Sequence, residues 1–437
     1  MYDSIIYLFG FCSVLTASKI RRKIVTKGWE SKVFKIPINA FVERWSIIMI
    51  DDVKQTECTG CKVCADICPK EAIVFGENKE GFWYPQIDES RCIKCNICVK
   101  HCPVINNVIV DNNLNPDVYA GWTLNNHIRY ESTSGGVYYE LAKKFLEDNG
   151  YIAGCAFSDD YKSAKHVIGK TTEDLNVIMG SKYFQSDTNG IYIKLKALID
   201  SGEKVLFCGT PCQVAAVISF FQGIPDDLFL LDFICKGINS PLAYKAYMHE
   251  LEEKYRSKIL KVRMKNKKYG WESLATHVIF SNGKEYLKDR YNDWWILGYT
   301  CGNLFMRENC QRCQHKKIPR LSDITIGDFW GINGCSQKDY EEGISVIFIN
   351  SKKGKKLLEN VQDRMHLESR KFEDVLKGNP YFMEQAPAHK NRELFFTSLK
   401  EMPFSKAVRL SYTESTVQKC KRWIKIFLKR ICKRKKW

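Results

Sequence analysis

Apolar runs at residues 117–122, 151–157, 204–208 and 228–234 are each short, continuous and rich in β-branched or aromatic side chains, and they read as strands. Between and after them the apolar positions switch to helical spacing, at 137–148, 190–200, 211–222 and 240–255. Strand followed by helix, repeated, predicts an α/β domain on a largely parallel sheet. Further strands are expected at 275–281, 323–327 and 344–349, and peripheral helices at 352–363 and 371–377. Upstream of 117 the texture differs. A polar stretch, Asn106 to Asn115, reads as a linker, and the segment before it is dense in cysteine rather than in periodic apolar residues.

That segment carries Cys58-x2-Cys61-x2-Cys64-x3-Cys68-Pro69 and Cys92-x2-Cys95-x2-Cys98-x3-Cys102-Pro103. Each run has the ligand spacing of a bacterial four-iron ferredoxin, in which the fourth cysteine serves the other cluster. Cys58, Cys61, Cys64 and Cys102 are therefore assigned to one cluster, and Cys92, Cys95, Cys98 and Cys68 to the second. Zinc sites use two cysteine pairs rather than two quartets ending in Cys-Pro. The fold class expected is an α+β ferredoxin-like two-cluster module followed by the α/β domain.

The 437 residues leave room for two or three domains. The boundaries read as an extension at 1–48, the ferredoxin module at 49–110, the α/β body at 117–350, a peripheral helical region at 351–416 and a basic tail at 417–437. Met49, nine residues before Cys58, is the expected functional start. Nineteen cysteines with clusters among them point to a reducing, cytoplasmic setting. The net charge of +17 would suggest nucleic acid, but it is concentrated at the two ends and leaves the middle nearly neutral. The C-terminal tail interleaves Trp423, Ile424, Phe427 and Ile431 with lysines and arginines. It reads equally as a helix lying on the inner face of an anionic membrane and as a solvated tail.

Within the body, Gly209-Thr210-Pro211-Cys212-Gln213 turns a strand into a helix, with Thr210 as N-cap and Pro211 at the first helical position. Amides at such a start can cradle a phosphate, and Cys212 in the first turn is a candidate catalytic thiolate. An ordinary capped helix with a packed cysteine reads the same way. Ser134-Gly135-Gly136 before the next helix, and Ser181-Lys182-Tyr183 after Gly180, are further candidates for an anionic ligand or a ring cofactor. Lys182 is the second candidate catalytic residue, and Asp328 is placed at the end of a strand. Cys212, Cys235, Cys310 and Cys313 together suggest a third four-iron cluster with Cys301 in reserve. A zinc pair or buried free thiols is the alternative. Cys12, Cys155, Cys335, Cys420 and Cys432 read as packing or surface residues.

In order and spacing, Ser134-Gly-Gly136, Gly180-Ser-Lys-Tyr183, Gly209-Thr-Pro-Cys-Gln213, Asp232-Phe-Ile-Cys-Lys-Gly237 and Ser322-Asp-Ile-Thr-Ile-Gly-Asp-Phe-Trp330 resemble the coenzyme F420 hydrogenase/dehydrogenase beta subunit family. The resemblance implies an oxidoreductase with FAD or a related flavin in the body. A flavin joins one-electron clusters to two-electron hydride chemistry. It also implies a ferredoxin-like donor or another subunit as redox partner, and a deazaflavin or other small molecule as acceptor. By the same resemblance, Lys182 would stabilise negative charge on the reduced ring or phosphate. The fused ferredoxin module resembles stand-alone bacterial members, which often accompany polysaccharide biosynthesis. A pure electron-transfer subunit is the alternative reading.

Overall fold

The computed structural model describes residues 49–412. The expectations about 1–48, the basic tail, Cys12, Cys420 and Cys432 lie outside the described residues.

The cysteine-rich module contains one antiparallel hairpin, β1 (Ile73–Glu77) and β2 (Trp83–Ile87), flanked by two one-turn helices, Val63–Asp66 and Ile97–Lys100. Both helices start after a left-handed residue, Lys62 at φ 64° and Asn96 at φ 59°, so the two cysteine runs share one local geometry.

The body is built on an eight-stranded mixed sheet. Its strands are β3 (Asp117–Thr123), β4 (Tyr151–Phe157), β5 (Ala164–Gly169), β6 (Val205–Gly209), β7 (Leu228–Phe233), β11 (Ile324–Asp328), β12 (Ser345–Ile349) and β13 (Met365–Arg370), in the order β13-β3-β12-β11-β7-β6-β4-β5. Parallel pairing is confined to the centre, where β11, β7, β6 and β4 run together. Both flanks pair antiparallel. The parallel strands are covered on both faces and are largely apolar, with Leu206, Phe207, Leu230 and Leu231 fully buried. The Val137–Glu147 helix covers one face through Val137, Leu141 and Phe145. The Ile191–Asp200 and Pro211–Phe221 helices cover the other through Tyr192, Leu195, Val214 and Val217. Each such side chain contributes about 1.5–3 kcal/mol on burial.

Three more strands, β8 (Ile259–Asn266), β9 (Ala275–Phe280) and β10 (Glu285–Lys288), form a separate antiparallel sheet. It packs with the Pro241–Tyr255 helix and with the late helices Arg392–Ser398 and Phe404–Ser411 around Trp295 and Phe305.

Two expectations change. Residues 351–412 are not helical throughout: β13 lies among the helices there and closes the edge of the main sheet. The Asn106–Asn115 stretch is not a free linker either. Asn112 donates to the carbonyls of Arg320 and Ser322 at 2.8 and 3.0 Å, and Val108 and Val110 pack on the core. Most of the stretch is exposed, and these contacts pin it to the body at a few points.

Candidate redox site

Each cysteine run contributes three sulfurs to one small cavity and one sulfur to the other. Cys58, Cys61, Cys64 and Cys102 line the first, with Val63, Phe75 and Pro85. Cys92, Cys95, Cys98 and Cys68 line the second, with Ile73, Ile87 and Met49. Burial, and then the neighbouring Cys61, Cys58, Cys102 and Cys98, push the Cys64 thiol well above its ordinary range. Burial and Cys61 likewise push Cys102 up to about 12. Thiolates crowded in this way are stabilised by a cationic centre among them, which iron would supply. Amides already point at two of the sulfurs, Gly60 to Cys58 and Ala72 to Cys68, both at 3.4 Å. Among the described residues no three His, Cys, Asp or Glu side chains converge on a single-ion position.

The two sets meet the body differently. Cys61 packs on the same face of the main sheet as the Ile191–Asp200 and Pro211–Phe221 helices. Its carbonyl accepts from both Thr188 Oγ1 and Tyr192 Oη at 2.7 Å. Asp66 accepts from the amides of Gly190 and Tyr192, and Lys62 pairs with Asp187 at 2.7 Å. At the hairpin turn, Glu80 forms an ion pair with Arg392, and its carbonyl accepts from Ser240. Cys95 of the other set is exposed, beside exposed Ile93 and Lys94.

Cys61 also reaches a cavity of about 270 Å³ at the carboxyl ends of β4, β6, β7 and β11. Open α/β sheets bind ligands at that end. The lining gathers Ser134, Gly136, Ser181, Lys182, Tyr183, Gly209, Thr210, Cys212, Gln213, Cys235 and Asp328 from widely separated segments. Gly135 lies behind that wall, where a Cβ would stand 2.4 Å from the Gly121 carbonyl. Pro211 opens its helix from the same turn.

The two glycine turns are not equivalent. At the Pro211 helix, Thr210 and Gln213 cap each other, so this start is already satisfied by its own side chains. The Val137 helix begins from Gly136 at φ 89° with no side-chain cap. Nearby, the buried hydroxyls of Ser132 and Tyr138 line the cavity and have no partner among the described residues. Uncapped amides and unpaired hydroxyls on one wall fit a polar, anionic group there.

Other candidate side chains are already engaged. Lys182 donates to the carbonyls of Val177, Ile178 and Met179, closing the end of the Thr172–Ile178 helix. Burial pulls its ammonium down to about 8, but all three of its donors are taken. It can supply charge to the cavity, and no spare N–H. Asp328 accepts from Lys265 at 2.6 Å and from Trp271 Nε1 at 3.1 Å. Ser134 Oγ donates to Ile344 O, and Ser181 Oγ bonds Thr133 Oγ1.

Cys212, Cys235, Cys310 and Cys313 lie within electrostatic reach of one another. Burial pushes Cys212 well above the ordinary thiol range, and the other three cysteines add to that. Burial pushes Cys235 up to about 12 and Cys310 up to about 11. Lys316, 6 % exposed, stands beside three of them and donates to the carbonyls of Lys236 and Glu384. Cys301 is exposed, on the Leu297–Cys301 turn.

Several lining residues had no signal in the sequence. Cys155 and Cys208 sit on adjacent strands as if they were core. His166 lines the wall from the unpredicted β5, bonded to Ser186 and stacked on Phe207. Tyr299 enters from a one-turn π-helix.

Two sulfur quartets, one of them reaching an α/β cavity, define an iron–sulfur electron-transfer protein of the oxidoreductase type. Residues 57–106 match the family described as "4Fe-4S dicluster domain". Residues 202–375 match the family of the C terminus of the coenzyme F420 hydrogenase/dehydrogenase beta subunit. The two matches relate the chain to that beta subunit family, with a dicluster ferredoxin domain joined in front. Among solved structures, a chain of a xenon derivative of the F420-reducing NiFe hydrogenase complex from Methanosarcina barkeri is similar at 18% identity and a TM-score of 0.42. That similarity covers 69% of this chain and 93% of the other. No curated protein matches the chain. Among the described residues, no helix is long and apolar enough to cross a membrane.

Proposed function

We propose that the chain is an iron–sulfur flavoprotein oxidoreductase that takes single electrons at the Cys92–Cys98 face and uses them in pairs at the cavity. The observation that carries this is Cys61, which belongs to one sulfur quartet and also lines the cavity. FAD or a related flavin, when bound there, would supply the conversion between one- and two-electron chemistry. The uncapped start of the Val137 helix, with Gly136 and the Ser132 hydroxyl, would hold its pyrophosphate. Tyr183 and Tyr299, with ring centroids 5.5 Å apart, offer aromatic surface to a ring. Lys182, fixed on its three carbonyls, would contribute positive charge rather than a proton.

Cys212, Cys235, Cys310 and Cys313 would hold a third cluster on the far wall, with Lys316 as its counter-charge. A buried ammonium without a carboxylate partner is costly unless an anion stands beside it. The acceptor would be a deazaflavin or another small molecule, reached through the same cavity. The donor would be a ferredoxin-like protein or a partner subunit.

Anaerobic purification followed by iron, sulfide and flavin analysis tests the reading. About twelve irons and one flavin per chain are expected. About eight irons would remove the third cluster, and the absence of any flavin would overturn the enzyme reading.

A further inference from the structure

Arg307 occupies the ground between the first sulfur quartet and the Cys310 pair. It is fully buried. Its Nε donates to the Cys58 carbonyl at 3.1 Å, Nη1 to Gln185 Oε1 at 3.0 Å and Nη2 to the Trp83 carbonyl at 3.1 Å. The guanidinium lies 4.3 Å from the centre of the Tyr84 ring. Its charge is felt at Cys310 on the other side. Among the described residues no carboxylate forms an ion pair with it, and the adjacent Glu308 is exposed. A buried, unpaired guanidinium is tolerated where a fixed anion lies close by. Four thiolates around an iron–sulfur centre are such an anion.

Among the described residues the second quartet has no such buried, unpaired cation beside it in sequence. The cations near it in sequence, Lys70, Arg91, Lys94 and Lys100, are all exposed, and Arg91 faces Glu71. Water and salt screen them. Lys62, beside the first quartet, is buried but already balanced by Asp187. Arg307 is therefore the buried, unpaired cation that sets the first quartet apart.

We propose that Arg307 makes the inner quartet's centre the easier of the two to reduce, so that electrons entering at the Cys95 face run inward toward the cavity. The step moves one electron: the outer centre is oxidised as the inner is reduced, and no bond or proton changes place. Burial works the other way, since desolvation disfavours added negative charge on the inner centre. The charge of Arg307 acts through protein, where it counts about four times more than through bulk water, and it opposes that penalty. This inference rests on the two clusters being present, and their presence is measured separately as iron and sulfide.

The test is a redox titration of the anaerobic holoprotein followed by electron paramagnetic resonance, with Cys95→Ser used to assign the outer signal. The inner signal is expected first on lowering the potential. Arg307→Gln should make the inner centre about tenfold or more harder to reduce, about 59 mV for one electron, and leave the outer unmoved. Arg307→Lys loses the same bridging bonds but keeps the charge, and should recover most of the shift. An outer centre that reduces first in the unaltered protein would overturn the proposal, whether or not the variants assemble. Equal shifts for Gln and Lys would overturn it too. Fewer than about eight irons in the unaltered protein would instead overturn the cluster reading beneath it.

Discussion

The two cysteine runs have one spacing and one backbone geometry, yet only one is built into the body. Around Cys58–Cys64, two hydroxyls hold the Cys61 carbonyl, Asp66 caps two amides of the body, and Arg307 ties Cys58 to Gln185. Around Cys92–Cys98 the direct tie to the body's helices is Ser219 on the His101 carbonyl, and Cys95 is open to solvent. Identical motifs thus sit in different surroundings. What distinguishes them is what each is packed against.

Replacing one ligand in each run should therefore give unequal results. Cys64→Ser is expected to lower Tm by roughly 10 °C or more, because the inner quartet's metal stabilises a buried interface as well as its own loop. Cys95→Ser should cost only a few degrees, and thermal unfolding of the two holoproteins side by side decides it. Comparable losses would mean that the inner run is not an integral part of the body.

A change behind the cavity wall should separate the body from the module. Gly135→Ala puts a Cβ 2.4 Å from the Gly121 carbonyl and should cost about 1–3 kcal/mol. Flavin retention should fall while iron content stays constant. If iron falls with it, the two regions are not separable in this way.

A change of similar size is expected at the joint itself. Tyr192→Phe with Thr188→Val leaves the Cys61 carbonyl without either donor, at a cost of about 1–3 kcal/mol. Faster hydrogen exchange should appear at residues 58–66 and not at 92–102. A uniform change over both would argue against a local joint.

The smallest effect is in pH. Burial holds His166 down at about 4 against an ordinary 6.5, so it stays neutral in the folded protein. The unfolded chain takes the proton first. Stability from this group is intact above about 6.5 and is lost as pH falls toward 4. His166→Gln should flatten that part of the Tm profile, and an unchanged slope would assign the acid sensitivity elsewhere.

The sequence made the relay more legible than the cavity, for a physical reason. Ligand spacing is local, so Cys58 to Cys102 could be grouped without knowing the fold. The strands beneath Leu206 and Leu231 were also visible, because central parallel strands are largely apolar. The short edge strand β5, with Lys165 and His166 in it, has no such signature, and its cavity-facing histidine went unseen with it. Glycine-and-hydroxyl motifs at 134–136 and 209–213 looked alike in one dimension. Only the side-chain pairing of Thr210 with Gln213 shows that one helix start is already capped and the other is not. Arg307 carried no local signal at all, since its meaning lies in Cys58 and Gln185, far away in the chain.

The central claim is that the inner quartet is the bridge between the surface and the cavity. Rapid mixing of the flavin-loaded protein with a reduced ferredoxin, following the flavin absorbance, tests it most directly. Cys64→Ser that retains flavin should abolish flavin reduction by the protein donor, while a small chemical reductant still bleaches it. Reduction by the ferredoxin at the unaltered rate would show that electrons reach the cavity by another way, and the account would be wrong.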